Sequence, residues 1–209
     1  MSFSPRLTLK GKRVSLVPLS VRHTIRLFRA SRDPAIWKYQ SATWGPPTSP
    51  DEMRRFIDEA LEDRRRRTSV PFTIVMNEDE SFAGSTRFLD IRRHDQAVEI
   101  GWTWIDSRLW RTPVNTECKY LLLRHAFEEE GCVRVQFKTD GRNRRSQAAI
   151  LRLGAVREGV LRRQKLLYDG FVRDTVYFSI LDNEWPAVKR RLLRLLQRAR
   201  RLPVLQDNG

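Results

Sequence analysis

Cysteine is nearly missing from this sequence: Cys118 and Cys132 are the only two among 209 residues. Two separated thiols, with no Cys or His beside them at ligand spacing, exclude a disulfide framework and a zinc motif. Both read as small apolar packing residues rather than nucleophiles, and no metal site is expected. Histidine is scarce as well, and His23, His94 and His125 read as structural or exposed. No Cys–His pattern supports an acyl-enzyme. No stretch approaches the roughly 20 uninterrupted apolar residues of a membrane span. Residues 1–12 carry Arg6, Lys10 and Lys12 in place of the apolar run of a signal peptide, so a cytoplasmic location is expected. Gly, Ser and Pro are nowhere dense enough to make an interdomain linker, and no internal repeat is visible.

Acids are the other shortage. Twenty-five Asp and Glu face 40 Lys and Arg, leaving a formal charge of +15. Such an excess attracts polyanions: RNA, acidic protein surfaces or nucleotide-like cofactors. Hydrophobic residues at 40% and aromatics at 10% are enough for a folded core. One domain over residues 1–182 is expected, followed by a basic helix and tail over 183–209.

Residues 7–9 and 13–18 alternate apolar with polar positions around Lys10-Gly11-Lys12, which predicts an opening hairpin. Ser20 is placed to cap a first helix containing Ile25, Leu27 and Phe28. Prolines 46, 47 and 50 make residues 40–50 a loop. Ser49-Pro50-Asp51-Glu52 then follows the rule of an N-cap, a proline in the first turn and acids facing the helix dipole, so a second helix should run to about Arg67. Residues 71–76, 81–91 and 97–105 read as an antiparallel meander. A helical pattern fills 112–130 and closes at Gly131, a strand follows over 133–138, and 144–153 is helical before Gly154. The last strands, 156–167 and 173–181, meet at Asp169-Gly170, a strong hairpin marker. A basic helix from Glu184 to about Arg201 ends the pattern.

Three segments carry a resemblance beyond this order. The first is Leu9-x-Gly11-x-x-Val14-x-Leu16-x-Pro18-Leu19. The second is Val98-Glu99-Ile100-Gly101-Trp102, leading through Arg111-Thr112-Pro113-Val114-Asn115-Thr116-Glu117 into a helix. The third is Asn143-x-x-Ser146, followed by Gly154 and Glu158-Gly159. Together, over about residues 7–181, the chain resembles the GNAT acetyltransferases, in the RimJ/RimL-like branch.

The resemblance implies an α/β (α+β) fold with a mixed, mostly antiparallel sheet, splayed between the family's fourth and fifth strands and flanked by helices. It implies transfer of an acetyl group from acetyl-CoA to a primary amine, most simply a protein N-terminal α-amine, by direct attack in a ternary complex. A small-molecule amine, or an RNA- or ribosome-binding role with weakened catalysis, are the alternatives. The cofactor's pyrophosphate would lie at the helix start, on Arg111, Thr112, Val114, Asn115 and Thr116, where backbone amides lack intrahelical partners. Trp104 and Ile105 would line the cofactor strand, and Asn143 would hold the pantetheine arm. The chain departs from the family pattern at Trp110, where Gln or Arg is usual, and at Pro113, which replaces a glycine and has no N–H to give. Thr112-Pro113 reads instead as N-cap and first helical residue. Glu99 is the candidate base, and Ser146 the group that meets the departing thiolate, since Ile150 stands where many relatives carry a tyrosine acid. Trp37, Trp44 and Trp102 are candidates for the acceptor pocket. A ribosome or RNA contact through the basic surface and a homodimer are further expectations.

Overall fold

The computed structural model describes residues 1–40 and 45–199. Its centre is one eight-stranded sheet in the order β1-β2-β3-β4-β5-β6-β8-β7. The opening hairpin joins β1 (Leu9–Lys10) to β2 (Val14–Pro18), and the meander is β3 (Ser69–Met76), β4 (Phe82–Arg92) and β5 (Ala97–Ile105). The remaining strands are β6 (Arg134–Asp140), β7 (Val156–Leu166) and β8 (Val172–Leu181). All neighbours are antiparallel except β5 and β6, whose parallel pairing is confined to Ala97↔Arg134, Val98↔Val135 and Glu99↔Gln136. Beyond Glu99 the two strands part, which is the splay that the resemblance implied.

Among the described residues five α-helices cover the sheet: α1 (Thr24–Ala30), α2 (Pro50–Arg65), α3 (Val114–Arg124), α4 (Arg144–Leu153) and α5 (Trp185–Arg198). Ser20 caps the short 3-10 turn that leads into α1, and the Ser49 hydroxyl accepts the Glu52 amide at the start of α2. Asn143 caps α4, and Gly154 closes it at φ 113°, a left-handed value that favours glycine.

Two apolar layers result. Leu27 of α1, with Met53, Phe56 and Ile57 of α2, packs with Trp37 and Trp104 on one side. On the other, Leu121 and Leu122 of α3, Ile150 and Leu153 of α4, and Val188 and Leu192 of α5 join the larger core. Because helices lie on both faces, β3 is buried along nearly its whole length instead of alternating. The tail helix therefore contributes to the core through Trp185, whose ring stacks on Phe127 with centroids 5.4 Å apart. Between Arg124 and β6 the helix widens into a π turn over His125–Glu129 before Gly131 ends it at φ 66°. Both thiols are buried and pushed up to about 12 by burial, as packing residues should be. Among the described residues no helix is long and apolar enough to cross a membrane.

Candidate active site

The splay is set by a bulge in β5. Ser85 pairs with Trp104 but Arg87 pairs with Gly101, so the single Thr86 faces both Trp102 and Thr103. Trp102 takes up the extra residue at φ 49°, a left-handed conformation that costs about 1–3 kcal/mol in a residue other than glycine. Packing holds it there: the buried Arg87 guanidinium lies 4.7 Å from the Trp102 ring centre and 5.3 Å from that of Phe56. A bulge bends its strand. Beyond it, β5 and β6 frame a cleft of about 1230 Å³ that runs from α3 and α4 on one face to Glu99, Lys138 and Arg173 on the other.

At the α3 end, the first i→i−4 bond is Glu117 N–H to Pro113 O at 2.9 Å. That bond puts Pro113 in the cap position, one residue later than predicted, while the Thr112 hydroxyl still receives the Val114 amide at 3.4 Å. The amides of Asn115 and Thr116 have no backbone acceptor among the described residues, and both residues line the cleft. Two cations flank them: Arg111, exposed at φ 63°, and Arg152, whose Nη2 donates to Thr116 Oγ1 at 2.8 Å. Free amides, the helix dipole and two guanidinium groups together make a site for a polyanion. Pro113 fits this site because at a helix start its missing N–H would have been spare.

Trp110 has a role that the sequence did not disclose. Its indole N–H donates to Ile105 O at 2.9 Å, and the Arg145 guanidinium sits 3.3 Å above its ring centre. A guanidinium from α4 thus stands over the position where the resemblance leads one to expect Gln or Arg. Asn143 Oδ1 is occupied as a cap by the Ser146 amide at 3.0 Å, which leaves its Nδ2 as the donor on offer to the cleft. Ser146 and Ile150 line the same wall.

On the opposite face, Glu99 stands at the last rung before the strands part. It is 5% exposed, and its Oε2 lies 2.6 Å from Lys138 Nζ and 3.3 Å from Gln136 Nε2. Burial pushes its carboxyl above the ordinary range, against the pull of Lys138, and the nearby Asp90 charge adds to the rise. Burial draws Lys138 down, but Glu99 beside it carries the ammonium above its usual value. Burial prevails at the enclosed carboxyl and pairing at the more open lysine.

The sequence-predicted residues divide as follows. Glu99, Trp102, Trp104, Ile105, Arg111, Thr112, Asn115, Thr116, Asn143 and Ser146 are brought together around the cleft. Val114 is fully buried, with its amide already bonded to Thr112, and does not line it. Trp37 does not line it either: its indole donates to Ser31 O at 2.9 Å and its ring packs 5.5 Å from Trp104, so it supports the wall from behind. Trp44 lies outside the described residues. Sequence reasoning missed Lys119, Lys165 and Arg173, all cleft-lining cations. A lysine inside a helix and cations on strands carry no motif that would mark them as cleft-lining.

The family model described as an acetyltransferase (GNAT) domain matches residues 13–156, more than half of the chain. YdaF of Bacillus subtilis, named as a ribosomal N-acetyltransferase, is 31% identical over 111 residues, 53% of this chain and 60% of that protein. The match thus spans less than two thirds of that relative's length. An acetyltransferase structure from T. thermophilus is 38% identical and superposes with a TM-score of 0.82 over 90% of this chain and 96% of the other. Mycobacterium smegmatis RimJ, solved with CoA-disulfide, shares the fold at 21% identity, with a TM-score of 0.79 over 91% of this chain and 95% of that one. With a matching family model, the splayed sheet and the amide-lined helix start in agreement, this chain belongs to the GNAT acetyltransferases.

Proposed function

We propose that the chain transfers the acetyl group of acetyl-CoA to a primary amine, in particular a protein N-terminal α-amine, by direct attack in a ternary complex. The observation that carries this reading is Glu99 at the fork of the splay: a buried carboxylate with a raised pKa, in the same cleft as the α3 polyanion site. An ammonium must lose its proton before it can attack, and a base tuned toward neutral pH is suited to taking it. Asn115, Thr116, Arg111 and Arg152 would hold the diphosphate, and Asn143 Nδ2 the pantetheine arm. Attack forms the C–N bond and breaks the C–S bond, and the Ser146 hydroxyl, on the cleft wall, would meet the departing thiolate. The ribosomal name of YdaF supports a protein amine as acceptor.

Calorimetry should show saturable 1:1 binding of acetyl-CoA, and CoA release should rise when peptides with free N-termini are added. An absence of binding at millimolar acetyl-CoA overturns the reading. Binding with release stimulated only by small amines would move the acceptor to that class.

A further inference from the structure

The polar face of the cleft holds more positive charge than proton abstraction requires. On β8, Arg173, Thr175 and Tyr177 share one face by strand alternation, the face of Gln136 and Lys138 across β6, whereas Val176 and Phe178 point into the core beside α4. Arg173 is therefore on the side of the sheet away from the α3 polyanion site. It is 7% exposed, and its Nε donates to Thr175 Oγ1 at 3.0 Å, which in turn donates to Gln164 Oε1 at 2.9 Å. No other hydrogen bond or ion pair is made by its guanidinium among the described residues.

Lys165 is its direct cross-strand partner on β7. Like charges placed opposite each other destabilise a strand pair, so the arrangement is unfavourable for the fold alone. A bulge produces it: between Leu161 and Lys165 the β7–β8 register shifts, with Arg163 at φ 50° and its amide bonded to Asp174 Oδ1 at 2.7 Å. As a result the successive residues Gln164 and Lys165 both line the cleft, which regular alternation would forbid.

The acids whose charge these cations feel are already engaged. Asp140 is held by Arg142 through Nη2 at 2.7 Å and Nε at 3.0 Å, and Glu99 by Lys138 at 2.6 Å. Burial lowers the pKa of both Lys165 and Arg173, and Arg173 lowers that of Lys165 further. Arg173 is thus held at Nε while the rest of its guanidinium faces the cleft without an ion-pair partner among the described residues, a cation poised for an incoming anion.

We propose that this anion is brought by the acceptor: the amine that Glu99 deprotonates carries a carboxylate within a few atoms, received by Arg173 with Lys165 beside it. This deepens the acetyl-transfer reading and rests on it. The carboxylate could belong to an acidic side chain near a peptide N-terminus or be the α-carboxylate of a free amino acid, and the test separates these sources.

Two acceptor pairs should be compared by CoA release: C-terminally amidated peptides beginning Ser-Glu and Ser-Gln, and alanine with alaninamide. A charge-assisted bond of about 1.5–3 kcal/mol corresponds to a preference of roughly 10–100-fold in kcat/KM for the acid member of the pair whose carboxylate fits. A preference confined to the peptides assigns a side chain, and one confined to alanine assigns a free amino acid. Arg173→Gln should bring the ratio to about one, Arg173→Lys should retain part of it, and Lys165→Gln, at a more open position, should lower it without threatening the fold. Equal kcat/KM for both members of both pairs in the unmodified protein overturns the proposal while leaving acetyl transfer intact. If acetyl-CoA binds but no amine accepts, the acetyl-transfer reading itself fails. Calorimetric titration of the same four compounds into CoA-loaded protein then decides the anion site, and equal affinities for acid and amide would sink it.

Discussion

Lys138 Nζ lies 2.6 Å from Glu99 Oε2, just past the last rung that joins β5 to β6. The lysine opposes the rise that burial imposes on the carboxyl, and so sets the lower edge of the pH range in which Glu99 can act as a base. Replacing it with Lys138→Met removes that pull. The carboxyl pKa should rise further, and the acid limb of the pH–rate profile should move to higher pH. An unmoved acid limb would show that Glu99 does not limit turnover there.

Glu99→Gln should lower turnover about 10²-fold or more at neutral pH, the usual contribution of a positioned base. The deficit should shrink as pH rises, because more of the amine is then neutral without help. Acetyl-CoA affinity, measured by calorimetry, should change little, since Glu99 is on the far face from the α3 site.

Arg152→Gln should weaken acetyl-CoA binding about tenfold and reduce its salt dependence, because one flanking charge at the α3 start is removed. Pro113→Gly should act in the opposite direction, tightening binding by about 0.5–1.5 kcal/mol if the restored amide gains one hydrogen bond. Calorimetry at two salt concentrations measures both.

Lys119 sits on α3, buried at the cleft wall, with Nζ 2.5 Å from Thr103 Oγ1 on the β5 bulge. Burial draws its pKa down to about 8. A lysine lowered on folding binds fewer protons than the unfolded chain between about 8 and 10.5, so it makes stability rise with pH across that window. Lys119→Met should remove this rise and stabilise the protein by about 1–3 kcal/mol at pH 7, where the buried charge is costly. Denaturant titrations at pH 7 and pH 10 test the sign.

The basic surface of α5 calls for a test by charge rather than by truncation, because Val188 and Leu192 belong to the core. Lys189 pairs with Glu128, and Arg191 donates to Arg152 O, whereas Arg190, Arg194 and Arg198 recur every four residues with no ion pair among the described residues. If this stripe meets RNA, changing the three to Gln should weaken ribosome co-sedimentation and lower the salt slope by up to about 0.9 for each duplex phosphate no longer neutralised. Equal pelleting at two salt concentrations would show that the stripe is a solvated face.

Much of this architecture was legible because it is encoded locally. Ser49-Pro50 and Asn143 with Gly154 mark the ends of α2 and α4, and the alternation of residues 97–105 marks β5. The bulge was not legible. Glycine advertises a left-handed residue, but Trp102 occupies one only because Arg87 and Phe56 pack against its ring, a contact made across the fold. The place of Trp37 behind the cleft wall was hidden for a related reason: its bond to Ser31 O appears only when the chain is folded. Arg173 and Lys165 look like ordinary strand-surface cations until the β7 register shift sets Lys165 opposite Arg173 beside the cleft and the fold encloses Arg173.

Three rungs of parallel pairing, with the Val133 N–H to Gln96 O bond at 2.8 Å beside them, make the backbone seam between β1–β5 and β6–β8 among the described residues. Each half is otherwise closed by its own antiparallel ladders, so amide exchange in the two halves should report two protection levels, coupled through the side chains packed beneath α3. A ligand seated in the gap touches both. At a hundred times its dissociation constant it adds about 2.7 kcal/mol to the native state. That increment should merge the two levels, so that loading the cleft makes the enzyme open as one cooperative unit.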